Sequence, residues 1–401
     1  MSLHSATLTA IENPGSLAVA SKWKLTFTAF TIIGVATFAA GLMTDSTRIW
    51  HDYVIAYYIF TCFGLGGLFF AALHHATNAT WSVIPRRVGE GFASFLPVSL
   101  ILFIGVAAGL YLEGAHLYEW IDNGIFKSHS KQVWYTPEFF IIRNAAFLFM
   151  WIVFYKLIVG WSVKQDDGTR PELSKRLPKI SIGFLLVMAP TFTVMCIDLM
   201  MSYQPHWFST MWGVYCFAGL FQSTVALMIL VFVRLKKGIL SKLATPSHVK
   251  DLSGLLFAFT IFMCYVGFSQ FMLIWYANLP EETVFFIQRM QYGWGILFLV
   301  VMLFKFLIPF FGLMGQGQKK SETWLKIVCW IVLIGQFLDF YWVSFPTFNE
   351  HFTMIGWMEI GMLLGFAGIF GLTVARFFGK HAVAPVGDPK ALASANWRFW
   401  E

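Results

Sequence analysis

The sequence predicts an all-α integral membrane protein of ten transmembrane helices. Two observations on composition and one on pattern carry that expectation. Of the 401 residues, 58% are hydrophobic and 12% charged, about half the charge of a soluble domain. The mean hydropathy is +0.67. The pattern is a succession of apolar runs, each near the 20 residues that a helix needs to cross a bilayer.

In order, the runs cover 25–43, 53–73, 92–112, 138–162, 180–200, 207–234, 252–276, 284–312, 324–343 and 353–378. The first is long enough to span, so it reads as a signal anchor and not as a cleaved leader. The connections alternate in charge. Lys22 and Lys24, Arg86 and Arg87, the group Lys164 to Lys179, the group Arg234 to Lys250, Lys319 to Lys326, and the tail put 21 of the 28 basic residues on one side. Asp45, Asp52, Glu113, Glu119, Asp122, Glu281 and Glu282 mark the other. By the positive-inside rule both termini are expected in the cytoplasm. The net charge of +7 therefore reflects membrane topology, and no nucleic-acid partner is expected. The five cysteines all lie inside apolar runs without a C-x-x-C pair, which excludes attached haem and a thiolate-held iron–sulfur cluster in this chain.

An internal repeat organises the middle of the chain. The fourth run is entered through WYTPEFFIIR (Trp134 to Arg143) and the eighth through WYANLPEETVFFIQR (Trp275 to Arg289). Lys156 and Lys305 follow near their far ends. Asp198 precedes Pro205 by seven residues, as Asp339 precedes Pro346, with Ser202 and Ser344 between. The expected architecture is two parallel four-helix bundles, helices 2–5 and 6–9, flanked by helices 1 and 10. Its divisions are a cytoplasmic N-terminal segment (1–24), the first flanking helix and outer loop (25–52), bundles at 53–206 and 207–346, the last flanking helix (347–378) and a cytoplasmic tail (379–401).

Ionisable groups in a lipid-soluble run are costly and mark either a function or a structural pair. Asp198, Ser202 and His206 lie along the hinge between two runs, and a proton could pass among them. Asp339 is the repeat counterpart of Asp198. Glu281 and Glu282 open a helix, where carboxylates also serve simply as N-terminal charges, and Glu359 lies nearer the middle of its run with no evident basic neighbour. All seven are candidates for a proton path. Arg143 and Arg289 are candidates for structural ion pairs, Arg143 with Asp198 and Arg289 with Asp339. The midplane otherwise reads as almost purely apolar, and no two histidines are placed to hold haem b.

Two stretches carry a family resemblance: SYQPHWFSTMWGVYCFAG (Ser202 to Gly219) and FSQFMLIWYANLPEET (Phe268 to Thr283). They resemble the ActF-type, NrfD-like membrane subunits of bacterial alternative complex III, the quinol:cytochrome c oxidoreductases. Leu199 and Trp212 depart from the aromatic and the phenylalanine common in such subunits, which touches local packing only. The resemblance implies a cofactor-free subunit in the bacterial inner membrane, non-catalytic or auxiliary, anchoring a respiratory complex and contributing to proton movement or a quinone-facing surface. It further implies a sibling NrfD-like quinol-binding subunit, an iron–sulfur subunit, haem c subunits, lipids and a terminal cytochrome oxidase as partners. Any iron–sulfur cluster or haem c would sit in those partners. The competing classes are a stand-alone multi-pass transporter or channel, which would place paired charges and broken helices at the midplane, and a purely structural scaffold.

Overall fold

The computed structural model describes residues 8, 10–122, 125, 126, 128–168 and 170–398. Among these described residues, ten helices are long and apolar enough to cross a membrane. They are α1 (Ser21–Thr44), α2 (Ser46–Ala76), α3 (Val83–Leu112), α4 (Pro137–Gln165), α5 (Glu172–Tyr203), α6 (Trp212–Lys236), α7 (Pro246–Ala277), α8 (Trp294–Met314), α9 (Glu322–Thr347) and α10 (Trp357–Lys380). The chain is an all-α multi-pass membrane protein. Several spans start on a proline, as α4 and α7 do at Pro137 and Pro246, where a missing N–H costs nothing and the fixed φ suits the first turn.

In each set of four the same neighbours touch. α2 packs on α3 and α5, and α4 joins α3 to α5; α6 packs on α7 and α9, and α8 joins α7 to α9. The two bundles meet through α2, α5 and α6. α2 is buried along 94% of its most apolar stretch and α6 along 78%, against 67% or less elsewhere, so these two helices form the axis of the molecule. Sequence explains the close approach. A Cβ at Gly67 would strike the carbonyl of Gly89 on α3, and one at Gly66 would strike Thr224 on α6. Without side chains there, backbones come near enough for dispersion to hold helices that gain little hydrophobic energy in lipid. α1 and α10 cross at Gly34 and Gly365, whose backbones touch, and α10 leans on α2.

The eighth span departs from a simple helix. Its entrance forms a separate helix, Pro280–Met290, and after a turn the span itself contains a π-turn at Leu303–Leu307. Several boundaries also move, and three of the shifts relocate charges: α2 begins at Ser46, so Asp52, expected in a connection, lies buried inside it. Arg86 and Arg87, expected in a connection, lie inside the helix Val83–Ala93 and are buried. The last span begins at Trp357, not 353. The tail folds back over the face carrying the basic connections: Ser394 receives the Ile84 N–H, and Thr245 donates to the Trp397 carbonyl.

Candidate functional site

Buried charge gathers at three places. The first is the acidic face of the first bundle, where α4 and α5 bring Arg143 to Asp198. Asp198 accepts from Arg143 Nε at 2.8 Å and Nη2 at 2.7 Å, and from Asn144 Nδ2 at 2.8 Å. The guanidinium also lies over the rings of Trp134 (4.1 Å) and Phe139 (4.5 Å). Both charges are buried and the geometry is bidentate, the strongest form of such a pair. The other two members of the expected relay are not in line with it. The Ser202 hydroxyl turns back onto the Asp198 backbone carbonyl, and His206 is exposed beside Phe126.

The second place is in the second bundle, and it corrects the expected pairing. Arg289 does not meet Asp339. It donates to the Val343 carbonyl from Nε (3.1 Å) and Nη2 (2.6 Å), to the Phe285 carbonyl (2.9 Å) and to Gln204 Oε1 (3.1 Å). Val343 lies in the last α-helical turn of α9, which runs to Ser344 before a 3-10 turn, so the cation faces the negative end of that helix. Asp339 instead faces Lys305, whose Nζ is 3.4 Å from Oδ2, and accepts a hydrogen bond from Tyr215. The π-turn is the reason. Its extra residue per turn swings Lys305 into the bundle, whereas Lys156, its counterpart by sequence, is exposed. Lys305 also donates to Gln336, and Gln222 donates to the Lys305 carbonyl (2.8 Å) and to Thr260 (3.0 Å). The interior of this bundle is therefore polar where the sequence reads as apolar.

The third place is the basic face. Arg87 Nη1 lies 2.9 Å from Glu90 Oε2 and its Nη2 2.6 Å from Asp166; Arg86 Nε lies 3.5 Å from Glu90 and its Nη2 2.5 Å from Asp388 of the tail. Ser162 donates to Glu90, and His75 Nε2 is 3.9 Å from it. A cavity of about 80 Å³, bordered by His74, His75, Arg86, Gln165 and Asp388, opens beside this cluster, with room for water. Burial pushes the Asp166 carboxyl up to about 6, the Arg87 charge holding it lower than burial alone would.

Glu359 has the basic neighbour that the sequence does not reveal. Arg48 Nε donates to it at 2.7 Å, and Glu359 caps its own helix through the Gly356 N–H (2.7 Å). It sits in the first turn of α10, at the acidic end. Close by in the same end of the molecule, Asp52 and His51 on α2 are buried; neither Asp52 oxygen has a hydrogen-bond partner among the described residues, and His51 is stacked on Phe348 with centroids 3.4 Å apart. Glu281 and Glu282 stand in the first turn of Pro280–Met290, Glu281 exposed and Glu282 half-buried. Sequence reading missed Lys305, Tyr215, Gln336, Glu90 and Asp166. The signal for Glu90 is visible in retrospect: in PRRVGEG an acid follows two arginines by three and four residues, one helical face.

No protein-family model matches the chain, and no curated protein aligns with it significantly. What the fold and the buried charges define is a class, a ten-span helical membrane protein with ionisable side chains held inside both bundles.

Proposed function

We propose that the chain is a cofactor-free integral membrane subunit of a bacterial quinol:cytochrome c oxidoreductase, the ActF-type subunit of an alternative complex III. It anchors the complex and carries part of a proton path, with its basic face toward the cytoplasm. The family resemblance rests on Ser202 to Gly219 and Phe268 to Thr283. The structural observation that supports the proton role is the Lys305–Asp339–Tyr215 group, because a membrane interior retains a lysine and a carboxylate only where they pair or act. Among the described residues, the only contact of Asp339 Oδ2 with a polar group is the 3.4 Å ion pair with Lys305, longer than the bonds that hold Asp198. That carboxylate is thus placed to exchange a proton with a mobile neighbour, as the saturated Asp198 is not. On this reading the basic-face cluster of Glu90, His75 and Asp166 takes up protons, and Asp52, Glu359, Glu281 and Glu282 line the acidic side.

The partners follow from the same reading: a sibling quinol-binding NrfD-like subunit, an iron–sulfur subunit and haem c subunits. Purification in mild detergent tests it directly. Haem c absorbance and an iron–sulfur protein should co-migrate with the chain through size exclusion. A lone, transport-active chain without haem absorbance would overturn the reading in favour of a stand-alone transporter.

A further inference from the structure

One lysine of the internal repeat has no place in the proton reading. Lys156 and Lys305 each stand nine residues before the end of their span, at Gln165 and Met314, and so at equal depth. That is about 14 Å of helix from the nearer end. Lys305 is buried and meets Asp339 and Gln336. Lys156 is exposed, and among the described residues no hydrogen bond or ion pair engages it. The buried carboxylate of its own bundle, Asp198, is already held by Arg143 and Asn144.

An ammonium at this depth on a bare lipid-facing surface is costly unless it pairs or reaches water. Its direction works against reaching water. α4 runs from the acidic end to the basic end, and helical Cβ atoms tilt toward the N-terminus. The Lys156 stem therefore starts toward the midplane, away from the nearer headgroups. The face around it has the form of a helix seam. Ile142, Ala146, Phe149, Val153 and Lys156 follow one another in steps of four and three residues, the spacing of a coiled-coil seam. All five are exposed, Ile142 by 67% and Phe149 by 62%. Ala146 leaves room for a second backbone to come close.

A second copy of this chain does not supply the missing charge. Asp52, Glu90, Asp198, Asp339 and Glu359 are buried, and every other described acid lies outside the spans or in their first two turns. No exposed carboxylate of a copy stands at the depth of Lys156. We infer that the exposed seam of α4 is the docking face for a membrane helix of a different chain, which packs along Ile142 to Lys156 and carries an aspartate or glutamate opposite Lys156. This docking rests on the reading of the chain as one subunit of a membrane complex, and it adds where a partner sits and which charge it brings.

A photoreactive p-benzoylphenylalanine in place of Val153, in the complex purified in mild detergent, tests the position. Mass spectrometry of the adduct should give one membrane helix of another subunit, with a carboxylate within about one turn of the crosslinked residue. Lys156→Met should cut retention of that subunit through size exclusion by about threefold to twentyfold, the range of interhelical polar contacts in lipid. Lys156→Glu should release it further, and changing the partner's carboxylate to lysine should restore it, as a packing role alone would not. Ala146→Phe, which leaves the charge in place, should weaken the same contact. Adducts to lipid alone, to a second copy of this chain or to a helix without a carboxylate would overturn the inference, as would folded Lys156 variants that keep the partner at the wild-type level. In each of those outcomes the complex itself stands. Purification of the chain free of other membrane proteins would instead overturn the subunit reading beneath it. If the Lys156 variants do not fold, the Val153 adduct decides by itself.

Discussion

Asp198→Asn is the perturbation that most directly weighs the Arg143–Asp198 pair. The wild-type carboxylate is fully buried and accepts three N–H groups within 2.8 Å. Asparagine keeps the shape but leaves the Arg143 charge uncompensated. Breaking a buried pair from one side costs about 3–5 kcal/mol. The Trp134 and Phe139 faces lie over the guanidinium in both forms and leave that difference unchanged. A loss of about 3–5 kcal/mol is large beside a total stability of about 5–15 kcal/mol. The change should therefore lower the thermal midpoint and the yield of assembled complex before any kinetic defect is seen. Removing both charges should behave differently. Arg143→Met/Asp198→Leu leaves no buried ion, and Asn144 retains its bond to the Phe140 carbonyl (2.9 Å), so stability should return to near the wild-type value. Thermal unfolding in detergent and proton release from reconstituted complex are the two readouts. If Asp198→Asn folds and assembles normally while proton release falls, the structural assignment of this pair is refuted and Asp198 belongs to the path. If the double variant is as unstable as the single one, the pairing argument itself fails.

Other outcomes follow from the remaining contacts. Lys305→Met should destabilise by about 3–5 kcal/mol by stranding Asp339, and Lys305→Met/Asp339→Leu should recover fold but not proton release, read by the same two assays. Gly365→Leu should force α10 off Gly34 at a cost of at least about 1–3 kcal/mol, whereas Gly160→Ala, with nothing within 4 Å, should leave the midpoint unchanged. For Asp166, the folded pKa of about 6 exceeds its ordinary value of 3.8, so the native state binds this proton more tightly than the unfolded chain does. Its contribution to stability is full below about pH 4 and lost as pH rises through about 6. The thermal midpoint of the wild type should thus gain on that of Asp166→Asn between pH 7 and pH 5, and parallel profiles would disprove the assignment.

The sequence carried the spans and one of the two arginine pairings, for a physical reason. Span length and apolar composition are set by the bilayer, and Arg143 needs only adjacent antiparallel helices of equal depth to meet Asp198. What could not be read depended on helix phase and on where helices begin. Lys305 looks like Lys156 until a π-turn rotates it by one residue, and nothing in LFKFL announces that turn. Glu359 reads as mid-span when the helix is started at 353. Starting at Trp357 puts it in the first turn, within reach of Arg48. Arg86 and Arg87 read as loop residues because the apolar run begins at 92, yet their helix begins at Val83 and is held by ion pairs together with the buried Val83, Ile84, Val88 and Phe92.

The consequence for function lies in the difference between the bundles. Both bury a carboxylate toward the acidic end and both bring an arginine near it. In the first, arginine and asparagine saturate the carboxylate. In the second, Arg289 is occupied by the carbonyls of Phe285 and Val343 and by Gln204. That occupation leaves Asp339 to a lysine and a tyrosine, both able to give up a proton where arginine cannot. The π-turn is what supplies the lysine, and such turns cost helix stability and tend to persist at functional sites. A helix defect, a titratable cation and an incompletely bonded carboxylate coincide at one level of one bundle. On the proposed function, that asymmetry makes the second bundle the candidate place for proton handling and the first the frame that holds it.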